Sequence, residues 1–203
     1  MADWIELVIL AKSHKDNNYC VADIDRYSGE WIRLVSVRDG RCGAVPWEYM
    51  VGMDALDVVH APILGSCPAR YQRENVLIDE CRPLQKIGEM PLREVLRLHP
   101  LEKREMVLGN HDAYLTQELM EKVGHSLEMV EVRNLTLYPG ISNRNKASFT
   151  YNNRMYDKIS VTDPRHYGAC NEKIGHAVLT LSLPNKPHKD GYYYKFIAKI
   201  FSL

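Results

Sequence analysis

Tyr19-Cys20-Val21-Ala22-Asp23-Ile24-Asp25, the turn through Arg26-Tyr27-Ser28, and Gly29-Glu30-Trp31-Ile32-Arg33-Leu34 read together as two short strands folded back on each other. Side chains alternate across a strand, so Cys20, Ala22 and Ile24 share one face of the first. In the second, Trp31 and Arg33 share one face, and Ile32 and Leu34 the other. An indole beside a guanidinium can grip a flat, negatively charged ligand. The same pair is also what a half-buried sheet surface looks like, with the Trp in the core and a stacked neighbour, and this is the commoner circumstance for Trp. Both readings stand at this point.

Outward from these strands, Trp4 to Ala11 is a nearly continuous apolar run, and the first forty residues form a β-meander. Further short strands are expected at Leu56 to His60 and Asn75 to Asp79. Arg38 to Gly43 and Pro62 to Pro68 are loops by their Gly and Pro content. About five short strands in some ninety residues is the content of a small closed barrel.

The period then changes from 2 to 3.6. Pro91 suits a helix start, and Leu92, Val95 and Leu96 line one side of a helix ending near His99-Pro100. A second helix is placed after Pro100. A third is capped by Thr116, carries Gln117 and Glu118 at its positive end and a Leu119, Met120, Val123 stripe, and is closed by Gly124. These helices are expected to bridge or plug a barrel with their apolar stripes facing its core. Strands return from Ser126: Leu127 to Leu137, then Lys146 to Tyr151 and Met155 to Val161 around the turn dipeptide Asn152-Asn153, then His176 to Leu183. The last strand, Tyr193 to Phe201, places Tyr194, Phe196, Ala198 and Ile200 inward and Tyr193, Lys195 and Lys199 outward. The fold class is therefore mainly β with minor α: a small antiparallel barrel over 1–90, a helical connector over 91–124, and a second small antiparallel barrel over 125–203.

Composition sets the outer limits. With 203 residues, 45% apolar and 26% charged, the chain can bury a real core and is globular, not disordered. No run is long and apolar enough for a membrane span, and Met1-Ala2-Asp3-Trp4 lacks the start of a signal peptide, so a cytoplasmic location is expected. The five cysteines, Cys20, Cys42, Cys67, Cys81 and Cys170, are odd in number and scattered, which points to reduced thiols and away from structural zinc. The formal charge is zero, but from residue 131 onward 11 Lys and Arg face 5 Asp and Glu, and ten of the eighteen aromatics lie there. Bases and phosphates suit such a mixture, and so does a basic barrel wall with its aromatics inside.

With these segments in view, the chain resembles the bacterial dual OB-containing domain family. The resemblance rests on Ala11-Lys12-Ser13-His14-Lys15, Cys20-Val21-Ala22-Asp23-Ile24, Gly29-Glu30-Trp31-Ile32-Arg33, Leu56-Asp57-Val58-Val59, Val161-Thr162-Asp163-Pro164, Leu179-Thr180-Leu181-Ser182-Leu183 and Tyr192-Tyr193-Tyr194-Lys195-Phe196-Ile197-Ala198. It spans nearly the whole chain. Two departures are visible: Leu34 stands where the family has Pro, and the link Pro184 to Gly191 is longer and more basic than the family's usual short turn. The resemblance implies two OB-like barrels, a setting in bacterial conflict or mobile elements, and binding of nucleic acid or a nucleotide; it does not imply a catalytic activity.

The residues expected to touch a ligand are Trp31 and Tyr193 as stacking surfaces and Lys12, Ser13, Arg33, Lys195 and the Lys186 to Lys189 loop as phosphate contacts. Asp163 either caps the turn that follows it or orients Arg33 or a ligand base. Asn110-His111-Asp112 reads as a loop into a helix, since no ligand spacing, nucleophile elbow or phosphate-binding glycine loop accompanies it. No catalytic residue, metal or cofactor is expected. The reading is a non-enzymatic module for single-stranded nucleic acid or a nucleotide; the alternative is a protein-interaction subunit whose exposed aromatics anchor a partner.

Overall fold

The computed structural model describes residues 3–15, 18–38, 43–140, 144–168 and 171–203. It divides into two compact units, Met1–Pro100 and Leu101–Leu203. The expected connector over 91–124 is shared between them, one helix going with each unit.

In the first unit the strands are β1 (Asp3–Lys15), β2 (Asn18–Asp25), β3 (Trp31–Val35), β4 (Val45–Pro46), β5 (Asp57–Ser66), β6 (Asn75–Ile78) and β7 (Gln85–Glu89), followed by helix α1 (Leu92–Leu98). β1 pairs with β2, β2 with β3, β3 with β6, β6 with β5, and β5 returns to β1, so five strands close on themselves. Every pair in this ring is antiparallel except β3 with β6, which is parallel. The short β4 lies against β2, and β7 against β5. The interior is apolar, built from Leu7, Ile9, Val21, Leu34, Val59 and Ile78 among others.

The second unit repeats that topology. Its elements are β8 (Tyr114–Leu115), α2 (Gln117–Val123), β9 (Leu127–Pro139), β10 (Asn145–Tyr151), β11 (Arg154–Val161), β12 (Glu172–Ser182), β13 (Tyr193–Tyr194) and β14 (Phe196–Ser202). The barrel runs β10, β11, β14, β12, β9 and closes, and its third and fifth strands, β11 and β14, again form the parallel pair. No repeat in the sequence announces this duplication. Shared pairing order can be specified by shared alternation and turn placement without shared residues.

Local signals placed most elements correctly. Asn152 and Asn153 both adopt positive φ, 47° and 60°, the geometry of a tight hairpin turn between β10 and β11. The Thr116 hydroxyl accepts from the Leu119 amide at 3.3 Å, and Gly124 ends α2 in the left-handed region. The helix expected after Pro100 does not form. The backbone there is held by side chains of the second barrel: Tyr151 Oη donates to the Arg104 carbonyl at 2.8 Å, Glu128 Oε2 accepts from Leu108 N at 2.6 Å, and Tyr156 Oη accepts from Val107 N at 3.0 Å. With its polar groups so satisfied, the segment runs as an irregular strap, broken at Leu108 by a left-handed residue (φ 46°). The thiol expectation is also corrected: Cys67 is disulfide-bonded, while Cys20 and Cys81 are free. Cys42, Cys170 and most of the loop expected at Arg38 to Gly43 lie outside the described residues.

Asp23 is the odd residue of the first core. It pairs with Ile9 and Ile32, so it shares their inward face, and it is fully buried. Neither carboxylate oxygen meets a donor in good geometry. Burial pushes its pKa well above the usual carboxylate range, outweighing the nearby Leu34 amide and Arg33 guanidinium. The folded state therefore keeps a proton that the unfolded state has lost, and stability falls as pH rises through the folded-state pKa. Asp23→Asn should raise stability by roughly 1–3 kcal/mol at pH 8 and flatten that decline. Urea unfolding of both proteins from pH 4 to 9 checks this; a destabilised Asn variant at pH 8 would overturn it.

Candidate functional site

In each barrel the connection between the fourth and fifth ring strands is a long loop, and in the second barrel it is the loop from Leu183 into β13. Its tip is a turn in which Gly191 N donates to His188 O at 2.9 Å and His188 N donates to Tyr192 O at 2.8 Å. Gly191 takes φ 87°, a conformation that side chains disfavour. Asp190 ties the tip together: Oδ1 accepts from Tyr192 N at 3.1 Å, Oδ2 accepts from Tyr194 Oη at 2.7 Å, and His188 Nδ1 lies 3.2 Å from Oδ2. The Tyr194 hydroxyl holds the Asp190 carboxyl below its ordinary range, and the same bond raises the Tyr194 phenol.

This turn and the short β8–β13 ribbon gather aromatic rings. Tyr193 pairs with Leu115 and Tyr194 with Tyr114. The Tyr114 ring lies 4.4 Å from Tyr192 and 5.9 Å from Tyr194, centroid to centroid, and His188 meets Tyr194 edge-on at 5.6 Å. Tyr114 and Tyr192 keep 36% and 38% of their surface exposed. Lys186 and Lys189 are exposed on the same loop. The arrangement offers ring faces for planar groups and ammonium groups for anions.

The residues singled out from sequence divide sharply. Lys186 and Lys189 lie on this loop. Tyr193, between the two clustered tyrosines, faces the opposite way: it is 3% exposed, and its hydroxyl donates to Gln117 Oε1 at 2.7 Å. Lys195 is wholly buried under the strap, where Nζ donates to the carbonyls of Val107 and Asn110, both at 2.7 Å. Asp163 is buried against Lys199 Nζ at 3.0 Å, accepts from Ile200 N at 3.1 Å and caps the following turn through Arg165 N. It therefore serves the fold, and its cation is Lys199 and not Arg33.

In the first unit, Arg33 is buried, with Nε 3.2 Å from Glu74 Oε1. Trp31 is half-buried, edge-on to His99 at 4.6 Å, while His99 Nδ1 contacts the Gly29 carbonyl at 2.8 Å. A Cβ on Gly29 would sit 2.5 Å from the Leu98 carbonyl oxygen, so the end of α1 rests directly on this turn. The guanidinium is thus buried by the chain itself, and the indole is partly covered by His99. Lys12 Nζ donates to the carbonyls of Met50 and Met53 and lies 4.9 Å over the Tyr19 ring, and Ser13 is buried. An open pocket of about 360 Å³ in this unit has Glu48, Glu80 and Arg82 among its walls, and both carboxylates are paired with Arg38.

Sequence reasoning missed Tyr114, His188, Tyr192 and Tyr194. The available signal was the Tyr192-Tyr193-Tyr194 run itself, because in any strand its outer two members must face opposite to the middle one. Among the described residues no group of three His, Cys, Asp or Glu side chains could hold a metal ion, and no helix is long and apolar enough to cross a membrane.

A family model described as a dual OB-containing domain matches residues 5–200. No curated protein matches the chain. Among solved structures, the chain is similar to a murine DNA-binding protein bound with double-stranded DNA (6% identity, TM-score 0.41, covering 99% of this chain and 96% of that one). It is also similar to the p204 HINb domain (8% identity, TM-score 0.42, 97% of each chain). A third is the Ifi202 HINa domain in complex with 20-base-pair double-stranded DNA (8% identity, TM-score 0.41, 99% and 97%).

Proposed function

The chain belongs to the dual OB-containing domain family, and from that membership and the loop geometry we propose that it is a nucleic-acid-binding protein that holds single strands without altering them. The observation that carries this reading is the cluster of Tyr114, Tyr192, Tyr194 and His188 beside exposed Lys186 and Lys189. OB barrels bind oligonucleotides through the face of their second and third strands and the loops after the first and fourth, and this cluster occupies the latter. Aromatic faces stack on unpaired bases, which favours single strands over a duplex whose bases are already stacked. The lysines supply phosphate contacts.

Tyr192→Ala should weaken binding of a fluorescent single-stranded oligonucleotide by about 1–3 kcal/mol while leaving the unfolding curve unchanged. Lys186→Ala with Lys189→Ala should lower the slope of log affinity against log salt by about 0.7 for each phosphate that the two ammonium groups neutralise. The recovered strand should run intact on a denaturing gel with or without divalent ions. Absence of binding at low salt would overturn the proposal and favour a protein-interaction subunit; cleavage of the strand would overturn its non-catalytic part.

A further inference from the structure

The first barrel carries a loop at the same topological position, between β5 and β6. Ala69 N donates to Gln72 O at 3.0 Å and Gln72 N donates to Ala69 O at 3.2 Å, so Arg70 and Tyr71 form the tip of a closed two-residue turn. The Arg70 guanidinium carbon lies 5.0 Å over the Tyr71 ring. Both feet of the loop are fastened. At one, Cys67 is disulfide-bonded and its amide donates to Asn75 O at 2.8 Å. At the other, Glu74 receives Arg33 twice, from Nε to its carboxylate at 3.2 Å and from the amide to its carbonyl at 2.9 Å. The loop's one carboxylate is thereby engaged by a buried arginine at the foot, while Arg70 and Arg73 are exposed.

We propose that this Arg70-Tyr71-Gln72-Arg73 loop is a second nucleic-acid site, which binds a single-stranded segment independently of the second barrel. The inference rests on the nucleic-acid reading of the second barrel's loop, whose topological counterpart it is. Chemistry selects the ligand class: a guanidinium over a phenol ring offers a delocalised face on which a base can stack, and arginine forks bind phosphate oxygens in pairs. A fastened loop also loses little conformational freedom on binding. The site is assembled from residues of one unit only, so each barrel should saturate separately with a strand short enough to fill a single site.

The test is calorimetric titration of the whole chain with an oligothymidylate of about eight nucleotides, within the span one OB barrel covers. The expected stoichiometry is two oligonucleotides per chain. Arg70→Ala combined with Tyr71→Ala should reduce it to one, and Tyr192→Ala combined with Tyr194→Ala should reduce it to the other one; circular dichroism confirms that both variants fold. A single wild-type site that survives the Arg70 and Tyr71 changes and vanishes with the Tyr192 and Tyr194 changes overturns this inference and leaves the second-barrel site standing. The converse pattern supports the first-barrel loop and overturns the second-barrel one. No binding by the wild type overturns both.

Discussion

Asp163→Ala is expected to destabilise the second unit by about 3–5 kcal/mol, the cost of leaving a buried charge without its partner. Asp163 and Lys199 are both buried, with 3.0 Å between Oδ2 and Nζ, and the same carboxylate oxygen accepts from Ile200 N on β14 at 3.1 Å. The variant therefore strands an ammonium inside the barrel and frees a backbone donor. A drop of more than about ten degrees in melting temperature should follow. Adding Lys199→Met should recover much of the loss, because the pair contributes far less than its broken half costs. If Asp163 acted on a ligand, the result would be the reverse: normal unfolding and weakened oligonucleotide binding. Thermal unfolding and a binding isotherm on both variants separate the two outcomes.

Lys195→Met should be nearly as damaging, and it carries a pH signature. Two strap carbonyls lose their donor, each worth about 1–3 kcal/mol when left buried. Burial pulls the Lys195 pKa from 10.5 down to about 7, against the opposing pull of Glu128 and then Asp112. Between those two values the unfolded chain binds a proton that the folded chain does not. The contribution of Lys195 to stability should therefore rise with pH from about 7 to about 10 and be constant below 7. In Lys195→Met the rise should disappear. Urea unfolding at pH 6, 8 and 9.5 measures it; equal slopes in both proteins would show that the ammonium stays charged under the strap, stabilised by its carbonyls and by the Tyr156 ring 5.6 Å away.

The fate of Lys195 shows where reading by period stops. Alternation from Tyr193 to Phe201 predicted one strand, where the structure has β13 and β14 in separate sheets with Lys195 between them, and it set Tyr193, Lys195 and Lys199 outward, although all three are buried. Alternation reports which residues share a face. It is silent on whether another part of the chain covers that face, and here the strap and the Pro164–His166 turn do so. The burial of Arg33 and the partial cover over Trp31 have the same origin, since Glu74 and His99 come from distant positions in the sequence.

By itself the sequence determined the elements whose causes are local: the β2–β3 meander, the Asn152-Asn153 hairpin, the Thr116 and Gly124 caps, and two barrels' worth of alternating strands. It also marked the basic loop around Lys186 and Lys189. Only tertiary structure decided which cations are spent inside the fold, which tyrosines of a run of three meet Tyr114, and that Cys67 is bonded. Turn and cap energies are set within a few residues of chain, whereas burial depends on which remote segment arrives, and side-chain hydrogen bonds to an irregular strap leave no periodic trace in the residues that make them.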